Sequence, residues 1–204
     1  IAVSEVSGRS SLMQKATEFG ITLERDDPAT KEILKRVKEL ENAGYEFEGA
    51  DASLELIMRQ ANGEHRRFFV TNGFHVSVTR YSPDQPTLAE ATVKIATPDG
   101  KYHHTAAEGD GPVDALNNAL RKALCETYPT LDEVKLDDYK VRIIDGKLAT
   151  KAKTRVLIES SDETGSWNTV GVSENIITAS YLALLDSIEY KLLKEETAVA
   201  AMSA

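Results

Sequence analysis

Gly109-Asp110-Gly111-Pro112 is the stretch of this chain best suited to receive a ligand. A proline at a first helical position, preceded by glycines, marks a helix start. Exposed N–H groups and the helix dipole make such a place receptive to a carboxylate or phosphate. Glycines let a ligand approach the backbone closely. The dinucleotide fingerprint needs a third glycine in register, and Asp114 stands there, so nucleotide binding is set aside. The same four residues also read as a plain strand-to-helix turn. Other polar groups offer less. His103 and His104 are adjacent in a strand, so their rings face opposite sides and cannot share a metal. His65 and His75 add no ligand spacing, and Cys125 has no second cysteine, so no zinc pattern forms. Ser160-Ser161-Asp162 reads as a turn with no histidine in reach, and nothing points to a triad. Asp137-Asp138 precede a strand and suit an ammonium group or a solvated loop end. The residues offer no catalytic set and no metal site.

The elements that must position these residues are written twice. Phe74 to Tyr128 reads strand, strand, strand, helix, and Tyr139 to Leu193 reads the same way. Phe74–Val78 aligns with Tyr139–Ile143, and Ala91–Ile95 with Thr154–Ile158. In the helices, Ala115, Leu116, Ala119 and Leu120 align with Ile176, Ile177, Ser180 and Tyr181. Pro98-Asp99-Gly100 is a tight turn, Asp162 to Gly165 repeats it, and Asp145-Gly146 follows the first strand of the second unit. Ser173-Glu174 caps the last helix, which runs to about Lys194. The first third is helical. Ser10 to Phe19 is stopped by Gly20. Asp27-Pro28 caps and starts a helix that Gly44 ends, and Asp51 caps a third with Leu54, Ile57, Met58 and Ala61 as its stripe. These helices have little to bury against one another and must dock on something else.

The fold class is therefore α+β, with residues 1–63 a helical linker subdomain. Residues 64–195 form a duplicated βββα domain with units at about 72–130 and 134–195, and 196–204 form a flexible tail. At 204 residues the chain can bury one large core. A formal net charge of −9 argues against a nucleic-acid partner. No apolar run is long enough to span a membrane. One cysteine rules out an intrachain disulfide and suits a reducing cytoplasm. The chain begins at Ile1 and is read as a piece of a longer polypeptide. Each unit leaves strand positions such as Val76, Val78 and Val156 for a second copy to cover, so a homodimer is expected.

His104 to Leu116, Asp138 to Ile143 and Gly171 to Ile177 together resemble the C-terminal allosteric domain of the 2-isopropylmalate synthase family. Val3 to Ser10, Gly44 to Ser53 and Asp186 to Leu192 are most similar to its bacterial citramalate synthase branch. The resemblance covers nearly the whole chain. It implies an upstream TIM-barrel domain of the same polypeptide that condenses acetyl-CoA with a 2-oxo acid on a divalent metal. No cofactor is then expected in this chain, and alone it should not catalyse. The resemblance also implies an amino-acid effector, isoleucine or leucine, held between the two βββα units close to a dimer interface. Carried over residue by residue, its site comprises Gly109, Asp110, Gly111, Asn117, Asn118, Leu136, Tyr139 and Ile143. Asn117 and Asn118 stand where relatives carry a larger aromatic and an acid.

Overall fold

The computed structural model describes residues 2–24, 27–65, 67–144 and 152–202. Three helices come first: α1 (Ala2–Glu18), α2 (Pro28–Ala43) and α3 (Asp51–Ala61). Asp27 caps α2 through the Ala29 N–H, Pro28 starts it, and Gly44 ends it in the left-handed region at φ 109°. At α3 the expected cap fails. Asp51 is the first helical residue and pairs instead with Lys15 of α1, 3.0 Å away.

Two three-stranded antiparallel sheets follow, each backed by its own helix. In the first, β1 (Val70–Thr79), β2 (Leu88–Ala96) and β3 (Tyr102–Gly109) lie in sequential order and precede α4 (Pro112–Leu124). A short 3-10 turn, Pro129–Glu133, leads to the second: β4 (Lys135–Ile144), β5 (Lys153–Asp162), β6 (Gly165–Ser173) and α5 (Ile176–Met202). The duplication is thus observed, and the class is α+β. Ser160-Ser161-Asp162 is not a turn but the end of β5; the hairpin is Glu163-Thr164, with Asp162 accepting from the Thr164 N–H. The Asp145-Gly146 turn lies outside the described residues.

The second strand and the helix differ from the sequence alignment by two and three residues: Phe74 faces Val93 where Tyr139 faces Ile158, so Val93 corresponds to Ile158 and not to Val156. Thr105 Oγ1 donates to the Ala119 carbonyl at 2.9 Å, and Thr169 Oγ1 donates to the Ala183 carbonyl at 2.8 Å. Ala119 therefore corresponds to Ala183, not Ser180, and Asn117 to Tyr181. Both helix faces are apolar over more than one register, so pattern alone could not choose. The cap of α5 shifts likewise: Asn175 Oδ1, not Ser173-Glu174, takes the Ile177 and Thr178 N–H groups. The helix continues to Met202 rather than stopping near Lys194. Thr197 to Ala201 are mostly small helix-compatible residues, and Thr197 Oγ1 bonds the Leu193 carbonyl.

One core joins both units: Val93, Ile95, Leu116, Leu120 and Leu124 from the first, Val156, Ile158, Leu184 and Ile188 from the second. Val156 is fully buried there and Val76 packs against the same core, so neither is left for a partner chain; Val78 is exposed. The helical segment docks on the other face of the second sheet. Ile33, Leu54 and Met58 share a second core with Val170 and Val172. Lys153 Nζ and Arg155 Nε donate to the carbonyls of Ala43 and Gly44, at 3.1 and 2.8 Å. Among the described residues the outer face of the first sheet has no such cover, and β3 alternates exposed and half-buried where β6 is buried on both faces.

Candidate functional site

The junction of the two units contains a small cavity. Asn117 and Arg121 of α4 line it from one side, with Leu136, Ser160, Leu184 and Ser187 from the second unit. Its free volume is about 20 Å³, room for one water. Its polar wall is a satisfied chain: Ser160 and Ser187 hydroxyls lie 2.7 Å apart, and Trp167 Nε1 donates to Ser187 at 3.1 Å. Arg121 is fixed by the carbonyls of Val134 and Asp132.

Of the eight residues the resemblance pointed to, Asn117 and Leu136 meet on this cavity. Tyr139 lies further along β4, its phenol 2.8 Å from Ser180 Oγ. Ile143 is at the far end of that strand, about 20 Å from Leu136 at the usual strand rise, and is 71% exposed. Asn118 faces the other way, donating to the Glu108 carbonyl at 3.0 Å.

The glycine turn does two separate jobs. Gly111 is the N-cap of α4 with an extended backbone at φ −155°, and open space surrounds the position of a Cβ. Gly109 is the glycine that the fold requires: a Cβ there would sit 2.3 Å from the Ala115 nitrogen. Asp110 donates its N–H to Asp114 Oδ2 at 3.0 Å. The turn thus already holds one carboxylate of its own, which competes with any incoming anion.

Sequence reading missed Arg121, Ser160 and Ser187. The signal that finds them is the duplication in its correct register. Phe74 of β1 packs on Tyr181 of α5, the rings tilted by 43° with centroids 4.4 Å apart. Phe74 pairs with Val93, as Tyr139 pairs with Ile158, so the counterpart of Phe74–Tyr181 is Tyr139–Asn117. The first junction is filled by two rings; the second has an amide in place of one ring, and the cavity opens beside it.

Other groups are quiet. Burial, then the Asp132 carboxylate, push the Cys125 thiol up to about 11, so it stays protonated and unreactive at neutral pH. His104 is exposed and His103 half-buried on the opposite face, as expected of neighbours in a strand. Among the described residues no group of three histidine, cysteine or acidic side chains could hold a metal ion, and no helix is long and apolar enough to cross a membrane.

Residues 48–192 match the family model described as the LeuA allosteric (dimerisation) domain. The chain belongs to this family. The match takes in α3 together with both βββα units. Among curated relatives, the chain is 56% identical over 196 residues to an (R)-citramalate synthase of Geobacter sulfurreducens and 48% identical over 196 residues to one of Aquifex aeolicus. A 2-isopropylmalate synthase of Xanthomonas campestris is 29% identical over 195 residues. Each alignment covers 96% of this chain, but the chain spans only about 37% of the length of the citramalate synthases. It corresponds to the C-terminal regulatory part of such proteins.

Proposed function

We propose that this LeuA-type domain is the feedback-regulatory and dimerisation part of a citramalate synthase. In that parent, acetyl-CoA and pyruvate condense in an upstream TIM barrel that holds the divalent metal. The observation that carries this reading is the gap in identity between the citramalate synthases, at 48–56%, and the 2-isopropylmalate synthase, at 29%. The effector is isoleucine, the end product to which citramalate leads. Its side chain would take the place between Asn117, Leu136 and Tyr139. A cavity of one-water size must widen to receive it, and that movement is the regulatory event.

The parent works as a homodimer in the cytoplasm. Val141, Ile143 and Ile176 are exposed on and beside edge strand β4, where a second copy can cover them. Calorimetric titration of this chain with isoleucine, leucine and valine tests the effector. Saturable heat with isoleucine, weaker by tenfold or more with leucine, supports the reading. A preference for leucine favours a 2-isopropylmalate synthase parent, and heat from none of the three leaves a dimerisation module with no working effector site.

A further inference from the structure

A second place on the molecule has the chemistry of a binding site. Helices α2, α3 and α5 border an open groove of about 390 Å³. Leu40 and Ile57 give it apolar walls. Tyr45 closes one end, its phenol held by the Val172 backbone. Arg36, Glu32 and the exposed Gln60 form the rim.

Asp186 of α5 lines this groove. Its Oδ2 accepts the Ser53 hydroxyl at 2.6 Å, and Ser53 in turn accepts the Val170 N–H at 3.0 Å. Ser53 is therefore fully committed, and it holds the carboxylate in one orientation. No described cation pairs with Asp186, and its second oxygen accepts no hydrogen bond from a described residue. The nearby charged group on its own helix is Glu189, which repels it and lies with one oxygen 3.2 Å from His65 Nε2. Asp186 is half-buried, and a carboxylate drawn out of water is either matched by a cation or takes up a proton. Here no described side chain supplies the cation, and the groove that Asp186 lines leaves space for one.

We propose that this groove binds an aliphatic primary ammonium, with Asp186 as its counter-charge and Leu40 and Ile57 against its hydrocarbon. Where the ligand also carries a carboxylate, Arg36 on the rim receives it, which admits aliphatic α-amino acids. The site is separate from the Asn117–Leu136 cavity and does not depend on the effector assigned to that cavity. Its position is consequential: ligand there touches the helical segment and α5 at once.

Amide NMR of this chain, titrated separately with isoamylamine, L-leucine and isocaproate, tests the proposal. Saturable shifts at Tyr45, Ile57 and Asp186 with the amine and the amino acid, and none with isocaproate, are expected. Asp186→Asn keeps the acceptor for Ser53 and should weaken isoamylamine binding at least tenfold. Gln60→Trp, an exposed rim position, should block the groove without touching the core, and it serves if Asp186→Asn does not fold. Absence of shifts at these residues, equal shifts with isocaproate, or unchanged amine affinity in either folded variant overturns the proposal. Shifts at Asn117 and Leu136 report the other cavity and are scored apart.

Discussion

Thr105 and Thr169 are the same residue in two halves of one design: each sends its hydroxyl to a helix carbonyl, of Ala119 and Ala183 respectively. That pair fixes how each helix lies on its sheet. It also allows close approach of backbone to backbone, and two glycines follow from it. A Cβ at Gly109 would meet the Ala115 nitrogen at 2.3 Å, and one at Gly171 the Ala179 carbonyl at 2.0 Å.

Gly109→Ala and Gly171→Ala should each cost about 1–3 kcal/mol, because helix and sheet must separate. Thermal melts should show Tm lower by roughly 2–12 °C for each. Gly111→Ala, at an extended and open position, should stay within about 0.5 kcal/mol of wild type. A glycine turn that tolerates change at 109 and not at 111 would show the reverse assignment.

Asn117→Tyr should rebuild at the second junction the ring that Tyr181 supplies at the first. The added phenol fills the cavity beside Leu136 and leaves no space for an effector side chain. Isoleucine binding, measured by calorimetry, should fall by at least tenfold while the melting temperature holds or rises. Undiminished binding would place the effector elsewhere.

Asp186 makes stability depend on pH in an uncommon direction. Burial, opposed by the Ser53 hydrogen bond, raises its pKa from 3.8 to about 7. The folded state therefore holds a proton that the unfolded state has lost. Its contribution is fully present below the unfolded pKa and disappears as pH rises through about 7. Denaturant unfolding at pH 5 and pH 8 should show a fall in stability that Asp186→Asn removes. A wild-type profile that Asp186→Asn leaves unaltered would mean that this carboxylate is charged in the folded state.

Lys191 is buried to 1% exposure and meets Asp162 at 2.9 Å, with Glu195 and Glu133 also in reach. Burial alone would raise the Asp162 pKa, but Thr164 and Lys191 outweigh it and hold the carboxyl well below the usual range. Its stabilising effect is present above the unfolded pKa near 3.8 and is lost as pH falls below it. Asp162→Asn should cost roughly 3 kcal/mol at pH 7, the scale for breaking a buried pair. That loss should shrink in acid, as urea titrations at pH 7 and pH 3 can measure.

Strand and turn residues announced most of this fold. Asp27-Pro28 and Gly44 bounded α2, and Pro98-Asp99-Gly100 bounded a hairpin, because caps and tight turns are local chemistry. The pairing of Phe74 with Tyr139 was legible from strand alternation. The helix register was not, since Ala115, Leu116, Ala119 and Leu120 match two settings of α5 equally well, and only a threonine-to-carbonyl bond decides. The site suffered for the same reason. In sequence Asn117 is a departure from relatives, whereas its meaning comes from Tyr181, its counterpart in the other unit. Arg121, Ser160 and Ser187 converge from three elements, and no spacing along the chain brings them together. Val170 and Val172, apolar on the side where β3 carries His104 and Ala106, were the readable sign that the second sheet is covered twice.

That second covering breaks the symmetry of the duplication. Lys153 and Arg155 rivet the end of α2 to β5, and Arg155 also pairs with Glu46. Among the described residues the first sheet has no such fastening. The helical segment is thus hung on one half, like a rudder on a single pintle, and meets the first unit through Leu56 in the shared core. Among the described residues β5 is thus the one strand that lines the cavity between the halves, through Ser160, and also holds the helical segment, through Lys153 and Arg155.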